Sequence, residues 1–506
     1  MDRGRTPRQM KQWIDSLSLS DVRETVAQLH EALASHIQLP LDNEDQIALL
    51  ETYHDLADEI LMSYDDITLR TLPLEPEQRG QLSQSITGIF LTLSSAYHIV
   101  IERADAAHET PSESGWLLLT TYRAIEYLAL AALYSCKLRA DIPAAVWSAS
   151  KQLYLFAEQH RVAGTKVRKA AGHAVTPTIE NLFKQLLLFA IANPYRWPSA
   201  EVHELFLGLE TCAASASLTA SAASPGAPVY RLEMKNDAAP HLPAMDVTPS
   251  PDANVRWLDC APVLAHIKQH IENSGSFVDA LTHEREERLL AEFYKRMRAP
   301  RIRSEPRTAT KREARIAIGL EATCYFLSEP ERAHREKECR IVGGIEVCED
   351  DNSFEMTPWT VDNENINGCM LVADAASAKA EPPVGEIFAL ADHDMHGAPR
   401  LRVGIVRWLR KPNSASINIG IEILEGEPQP TRCARTPAST PGATTAAIFF
   451  PARSGQPPAL LMPIPLYAPA ATIGVEIGAE NKLLDMDLPL SESPLYVLAA
   501  VIPAKR

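Results

Sequence analysis

The sequence predicts an α+β multidomain chain: an α-helical bundle or repeat-like N-terminal half, then an antiparallel β-barrel, then a β-rich C-terminal extension. Two observations predict it. Up to about residue 215, apolar residues recur at steps of three and four, the signature of helices with one buried face. From Ile316 onward they mostly alternate with other residues, in short runs separated by turn-forming residues, as half-buried strands do. The 506 residues, 46% hydrophobic and 23% charged, have the composition of globular domains and enough apolar material for more than one core.

Taken in order, Ser20 and Asp21 can cap a helix running to about His36. Asn43, with Gln46 three residues on, resembles a capping box and opens a helix to about Tyr64. Leu82, Ile86, Ile89, Leu93, Tyr97 and Val100 fall on one helical face. Further helices are expected at 116–138, 143–164, 177–193 and 198–212, with Pro143 and Pro198 in positions that a first helical turn tolerates. Trp147, Tyr154 and Ala157 resemble part of a tetratricopeptide helix, but no fixed period runs along the chain; the alternative is an irregular bundle. Trp116, Trp147 and Trp197 are expected in the core of this half, and Trp408 in the core of the barrel.

The Ala/Ser-rich stretch 213–228 reads as a linker, followed by a short strand at 229–234 and helices at 256–273 and 282–298. Ile316, Ile318, Leu320, Ala322, Cys324 and Phe326 alternate as a strand would. So do Leu401, Val403 and Ile405, and Ile417, Ile419, Ile421 and Ile423, with hairpin chemistry between these two runs at Lys411-Pro412-Asn413-Ser414. Shorter strands are expected at 341–348, 359–361, 369–372 and 386–390. A Pro/Ala/Thr-rich stretch follows at 430–446. Strands at 447–450, 459–466, 472–477 and 495–502 then either extend the barrel or form a separate β unit. The expected division is a helical domain at 1–215, a mixed connecting region at 229–298, the barrel at 299–430 and the extension at 445–506.

The net charge of −16 opposes non-specific binding of DNA, RNA or anionic lipid by the whole molecule. An anionic ligand needs a local basic cluster, and 295–315 supplies one. Lys295, Arg296, Arg298, Arg301, Arg303, Arg307, Lys311, Arg312 and Arg315 against Glu305 and Glu313 give 9 − 2 = +7, leaving −16 − 7 = −23 elsewhere. Arginine forks grip phosphate bidentately and stack on bases; the alternative for such a run is a solvated linker. Between two strand-like runs, Asn363, Asn365 and Gly368 offer carboxamides that can donate to and accept from a purine edge, then a glycine permitting close approach, although an ordinary Asn-Gly turn would look alike.

These elements resemble the PilZ family, whose pattern is Arg-x-x-x-Arg leading into a strand, then an (Asp/Asn)-x-Ser-x-x-Gly turn, then two strands close to Val403-Gly404-Ile405-Val406-Arg407-Trp408-Leu409-Arg410 and Ile419-Gly420-Ile421-Glu422-Ile423-Leu424. The resemblance covers about 300–430. Arg303 and Arg307 match the arginine pair literally; Lys311 and Arg315, with Arg312 between them, lie closer to the strand but place Lys first. Asn365 stands where the family has Ser. The resemblance implies a PilZ-like barrel that binds cyclic di-GMP and relays it to a protein partner through the helical half, in control of motility, biofilm or surface polysaccharide. The alternative is a degenerate PilZ scaffold that binds proteins without nucleotide.

No catalytic motif is present: there is no GxxxxGK[ST] phosphate loop, no HExxH and no GxSxG, so no enzyme activity and no cofactor are expected. Asp392-His393-Asp394-Met395-His396 contains metal-ligating types but reads as a hairpin loop, and no metal is expected. The eight cysteines form no CxxC pair, and Cys339 and Cys348, flanking Gly343-Gly344, are expected as thiols. No secretory leader and no uninterrupted apolar span is read, which leads to a cytoplasmic expectation.

Overall fold

The computed structural model describes residues 9, 12–13, 16, 22–39, 41–63, 76–111, 115–167, 177–221, 228–243, 254–273, 283–298, 306–333, 339–342, 345–348, 354–375, 378, 381–393, 397–413, 415–435, 444–453, 455–478 and 480–504. The chain divides into two compact units, Met1–Ile302 and Arg303–Arg506.

The first unit is mainly helical, with helices at Val22–His36, Asn43–Ser63, Pro76–Ala106, Gly115–Lys137, Ala144–Gln159, Ile179–Ala192 and Ser199–Ala213, then Ala261–Asn273 and His283–Arg298. The apolar stripe read from the sequence is the packing face: Leu82, Ile86, Ile89, Leu93, Tyr97 and Val100 are all buried. Asp42, rather than Asn43, caps the second helix, its Oδ1 accepting from the Asp45 amide at 2.9 Å. Trp147 and Trp197 lie in the core, while Trp116 is half-buried. Gln84–Ala106 and Gly115–Lys137 are long and apolar enough to cross a membrane, and 83% of the latter's apolar window is buried inside the bundle.

Residues 217–219, inside the expected linker, form a short strand that joins a three-stranded sheet. This strand, β1 (Ser217–Thr219), pairs with β3 (Val255–Asp259), which pairs on its other side with β2 (Val229–Glu233). Lys151 anchors the chain just beyond β2. Fully buried, its Nζ donates to Asn236 O, Asn236 Oδ1 and Ala238 O at 3.0, 2.8 and 2.7 Å, and burial lowers its pKa to about 8.

The second unit contains two closed antiparallel six-stranded barrels. The first is built from β4 (Thr308–Ile318), β7 (Thr357–Asn365), β8 (Gly368–Asp374), β9 (Ile387–His393), β10 (Pro399–Asn413) and β11 (Ser416–Ile423), in the order β10-β11-β8-β7-β4-β9. Between β4 and β7, β5 (Cys339–Val342) and β6 (Ile345–Cys348) form a hairpin in which Cys339 and Cys348 are register partners. The second barrel comprises β12 (Gln429–Arg435), β13 (Thr445–Phe450), β14 (Ala459–Pro463), β15 (Thr472–Ile477), β16 (Glu480–Glu492) and β17 (Tyr496–Pro503). Thus β12 occupies the first part of the Pro/Ala/Thr-rich stretch. The β-rich extension is a barrel of its own.

Two strand readings change. The alternation through Phe326 does not remain a strand: β4 stops at Ile318, Gly319 turns the chain with φ +101°, and Leu320–Ser328 is a helix. Thr323 secures its first turn by bonding to Gly319 O through both its amide and its hydroxyl, at 2.9 and 2.8 Å. Leu320 and Cys324 face one cluster, and Ala322 and Phe326 another, so burial on two helical faces mimics period two. On β10, Val403 and Ile405 point away from the barrel interior. They join Ile387, Leu424, Ile448, Phe450 and Leu461 in a core between the two barrels, while Val406 and Leu409 face inward. At about 1.5–3 kcal/mol for each buried aliphatic side chain, this shared core is a main reason for the two barrels to pack together.

Candidate binding site at one end of the first barrel

The inward faces of the strands are apolar along most of their length. Trp359, Val361, Cys369, Leu371, Phe388, Leu390, Ile419 and Ile421 share one cluster. At one end the same faces become charged. Period two continues Phe388 and Leu390 to Asp392, and a bulge in β7 between Val361 and Asn363 turns Glu364 opposite Cys369. On β4, Arg312 continues the inward face of Ala314 and Ile316 and stands opposite Val361, next to a bulge between Ala309 and Arg312. Arg400 and Arg402 come from the same end of β10, opposite Asp392 and Leu390.

These five groups form one network. Asp392, whose side chain is 0% exposed, accepts from Arg312 Nη2 at 3.0 Å, from Arg400 Nε and Nη2 at 2.6 and 2.9 Å, and from Arg402 Nη2 at 2.5 Å. Glu364 accepts from Arg312 at 2.9 Å and more loosely from Arg400 and Arg402 at 3.3 and 3.5 Å. The hydrogen bond and charge of Asp392 raise the Arg400 pKa further. Below them lies Cys369. Burial pushes its thiol up to about 12, against the opposing pull of Arg402 and Arg307.

The sequence candidates divide around this end. Arg307, just before β4, donates from Nη1 to Asn363 Oδ1 at 3.0 Å, joining two elements of the motif that stand 56 residues apart. Asn365 Oδ1 accepts from the Asn367 amide at 3.2 Å, shaping the β7–β8 turn, with Ile366 70% exposed at its tip. Gly368 lies where β8 runs against β11: a Cβ there would stand 2.2 Å from Ile421 O, so close backbone approach explains the glycine. Lys311 is the exposed bulge residue at φ +47° and lies outside the network. Arg315 is further along β4, pairing in register with Pro358 and Ala391, and its Nη2 lies 3.5 Å from Met356 O. Arg303 and Arg301 lie outside the described residues.

Lys295, Arg296 and Arg298 end the His283–Arg298 helix of the first unit, where Arg296 stacks over Trp197 at 4.3 Å and bonds to Glu292 at 2.7 Å. The basic run is therefore divided between the two units. Trp408 is half-buried, lying over Gly420.

Asp392 and His393 belong to β9, not to a loop, because Asp392 continues the inward face of that strand; Asp394 and His396 lie outside the described residues. Among the described residues no group of three or more His, Cys, Asp or Glu side chains could hold a metal ion. Sequence reasoning missed Glu364, Asp392, Arg400 and Arg402 as a group. The available signal was a charged residue at the end of each alternating apolar face, two residues beyond Leu390 and two before Gly404. Chemically, the arrangement offers fixed guanidinium donors beside a carboxamide-bearing turn, which suits an anion carrying a hydrogen-bonding base.

Residues 8–224, less than half of the chain, match the sequence model of a family described as "Cyclic-di-GMP receptor FimW, N-terminal domain". Two solved structures of MrkH are similar at low level. One, from K. pneumonia, is 9% identical with a TM-score of 0.13, covering 41% of this chain and 90% of its own. The other, described as a c-di-GMP dependence transcription regulatory factor, is 12% identical with a TM-score of 0.12, covering 40% and 90%. Likenesses this slight establish neither fold nor function. No curated protein matches the chain.

Proposed function

We propose that this protein is a receptor for cyclic di-GMP and that the ligand binds at the charged end of the first barrel. The observation that carries this reading is the Arg307–Asn363 hydrogen bond of 3.0 Å, which brings the arginine element and the turn element of the PilZ-like pattern together. The match of residues 8–224 to a cyclic di-GMP receptor N-terminal domain supports it independently, because that match lies in the helical unit and ends before the barrels. Arg307, with Arg303 four residues earlier, supplies the arginine pair of the reading, and Asn363, Asn365 and Gly368 supply the turn.

In this reading the protein acts without catalysis, in the cytoplasm, and passes the signal to a protein partner through its helical half. The net charge of −16 disfavours DNA as that partner. The second reading, a PilZ-like scaffold without nucleotide, is favoured by one observation. Asn365 replaces the family's Ser, a bulkier group at a tight turn.

Calorimetric titration of cyclic di-GMP into the full chain separates the two. The receptor reading expects micromolar or tighter binding that Arg307→Ala abolishes and the double variant Lys311→Ala/Arg315→Ala retains. An absence of heat with the unmodified protein, at concentrations well above micromolar, would establish the scaffold reading instead.

A further inference from the structure

The charged barrel end contains more arginine than its carboxylates use. Three guanidiniums, from Arg312, Arg400 and Arg402, face two carboxylates, Asp392 and Glu364, so the local charge is 3 − 2 = +1. The hydrogen-bond count is equally unbalanced. Each guanidinium has about five N–H donors, and each carboxylate about four acceptor sites. Asp392 already accepts four bonds from the three arginines. The Nε atoms of Arg312 and Arg402 are buried and have no acceptor among the described residues. Each such donor carries a desolvation cost that an incoming anion would offset.

The excess lies beside the turn. Glu364 directly follows Asn363, the partner of Arg307, and Cys369 lies under both groups, its thiol sensing Arg307, Arg402, Glu364 and Asp392 together. Asp392 holds all three guanidiniums from below, which restricts their rotamers before a ligand arrives. Glu364, whose contacts to Arg400 and Arg402 are long, is the acceptor an incoming anion can most readily replace.

We infer that Arg400 and Arg402 form a second anion-holding element of the ligand site and take a phosphodiester group of the cyclic dinucleotide, with Asp392 as their positioning residue. This rests on the receptor reading above, and it adds residues from β10 that the family pattern does not contain. Arg307 and the Asn363–Gly368 turn hold one part of the ligand, and β10 holds a phosphate.

The test is calorimetric titration of cyclic di-GMP into the full chain and into Arg400→Gln, Arg402→Gln, Arg402→Lys, Arg307→Ala and Arg410→Gln, with circular dichroism and thermal unfolding alongside. Losing a charge-assisted contact to phosphate should weaken binding about ten- to a hundredfold in Arg400→Gln and Arg402→Gln. Arg402→Lys keeps the charge against Asp392 but loses the fork, so it should fold as the parent does and still bind several-fold more weakly. Arg410→Gln, on the same strand away from the cluster, should bind as the parent does. The ³¹P resonances of bound ligand should shift in the parent and move back toward the free position in Arg402→Lys. If the parent binds and Arg307→Ala does not, while the folded Arg400 and Arg402 variants bind like the parent, the inference is wrong and the receptor reading stands. If the parent itself does not bind, both fall.

Discussion

The indole of Trp408 covers Gly420 of the neighbouring strand so closely that a Cβ at Gly420 would stand 1.8 Å from the indole nitrogen. The two residues are register partners, and the ring occupies the space where a side chain at Gly420 would otherwise rise. Gly420→Ala must therefore displace the ring or part β10 from β11. We expect a loss of about 1–3 kcal/mol, read by urea unfolding with tryptophan fluorescence. Gly208→Ala is the contrast: the glycine lies in a helix and its Cβ would meet nothing within 4 Å, so alanine should gain about 0.5–1 kcal/mol.

Asp392 determines whether three arginines can lie together at the barrel end. Asp392→Ala removes the fully buried acceptor of this network and leaves Arg312, Arg400 and Arg402 with Glu364 as their remaining carboxylate among the described residues. Breaking a buried ion network from one side costs about 3–5 kcal/mol. The expected result is a large drop in the unfolding midpoint of the barrel unit, smaller in Asp392→Asn, which keeps two hydrogen-bonding atoms.

In the helical unit, His54 Nδ1 lies 2.7 Å from the Tyr127 hydroxyl, and burial, with the nearby Arg123 charge, lowers the imidazole pKa to about 4. The folded protein keeps this ring neutral where the unfolded chain, near 6.5, takes up a proton. The unfolded state therefore binds more protons between pH 6.5 and about 4, and stability falls as pH drops through that window. After allowance for solvent screening, the contribution is about 1–2 kcal/mol. Denaturant unfolding at pH 7.5 and pH 4.5 should differ less in His54→Gln than in the parent; equal differences would remove His54 from the account.

Asn365 bends the turn by accepting from the Asn367 amide at 3.2 Å, a bond that a serine hydroxyl can also make. Under the receptor reading, Asn365→Ser should preserve the fold and bind cyclic di-GMP at least as tightly as the parent, because it supplies the smaller group of the PilZ pattern that the turn resembles. Asn363→Ala removes the acceptor for Arg307 and should weaken binding by about tenfold or more. Titration of the two variants side by side gives opposite signs if the turn contacts the ligand.

Much of the architecture was legible in residue patterns. The stripe from Leu82 to Val100 and the alternation from Ile417 to Ile421 each report one buried face, and each face is buried as read. The pattern misled where both faces are buried. Val403 and Ile405 look like an inward face but pack against the second barrel, and Leu320 to Phe326 look like a strand because two faces of a helix are covered. A hydrophobic period reports that a face is hidden, and does not say what hides it.

The sequence by itself determined the helical half, the change to strands, and the presence of an arginine element and an Asn-rich turn within one barrel. Only the tertiary structure decided which arginines meet that turn. On β4, Arg312 continues the inward face of Ala314 and Ile316, while Lys311, in the bulge beside it, faces solvent. Closure of the barrel then brings Arg400 and Arg402 of β10, and Asp392 of β9, to the end where Arg307 and Asn363 join. Those groups are distant in sequence, and their meeting depends on strand order and register, which are set by packing across the whole sheet rather than by any local run of residues.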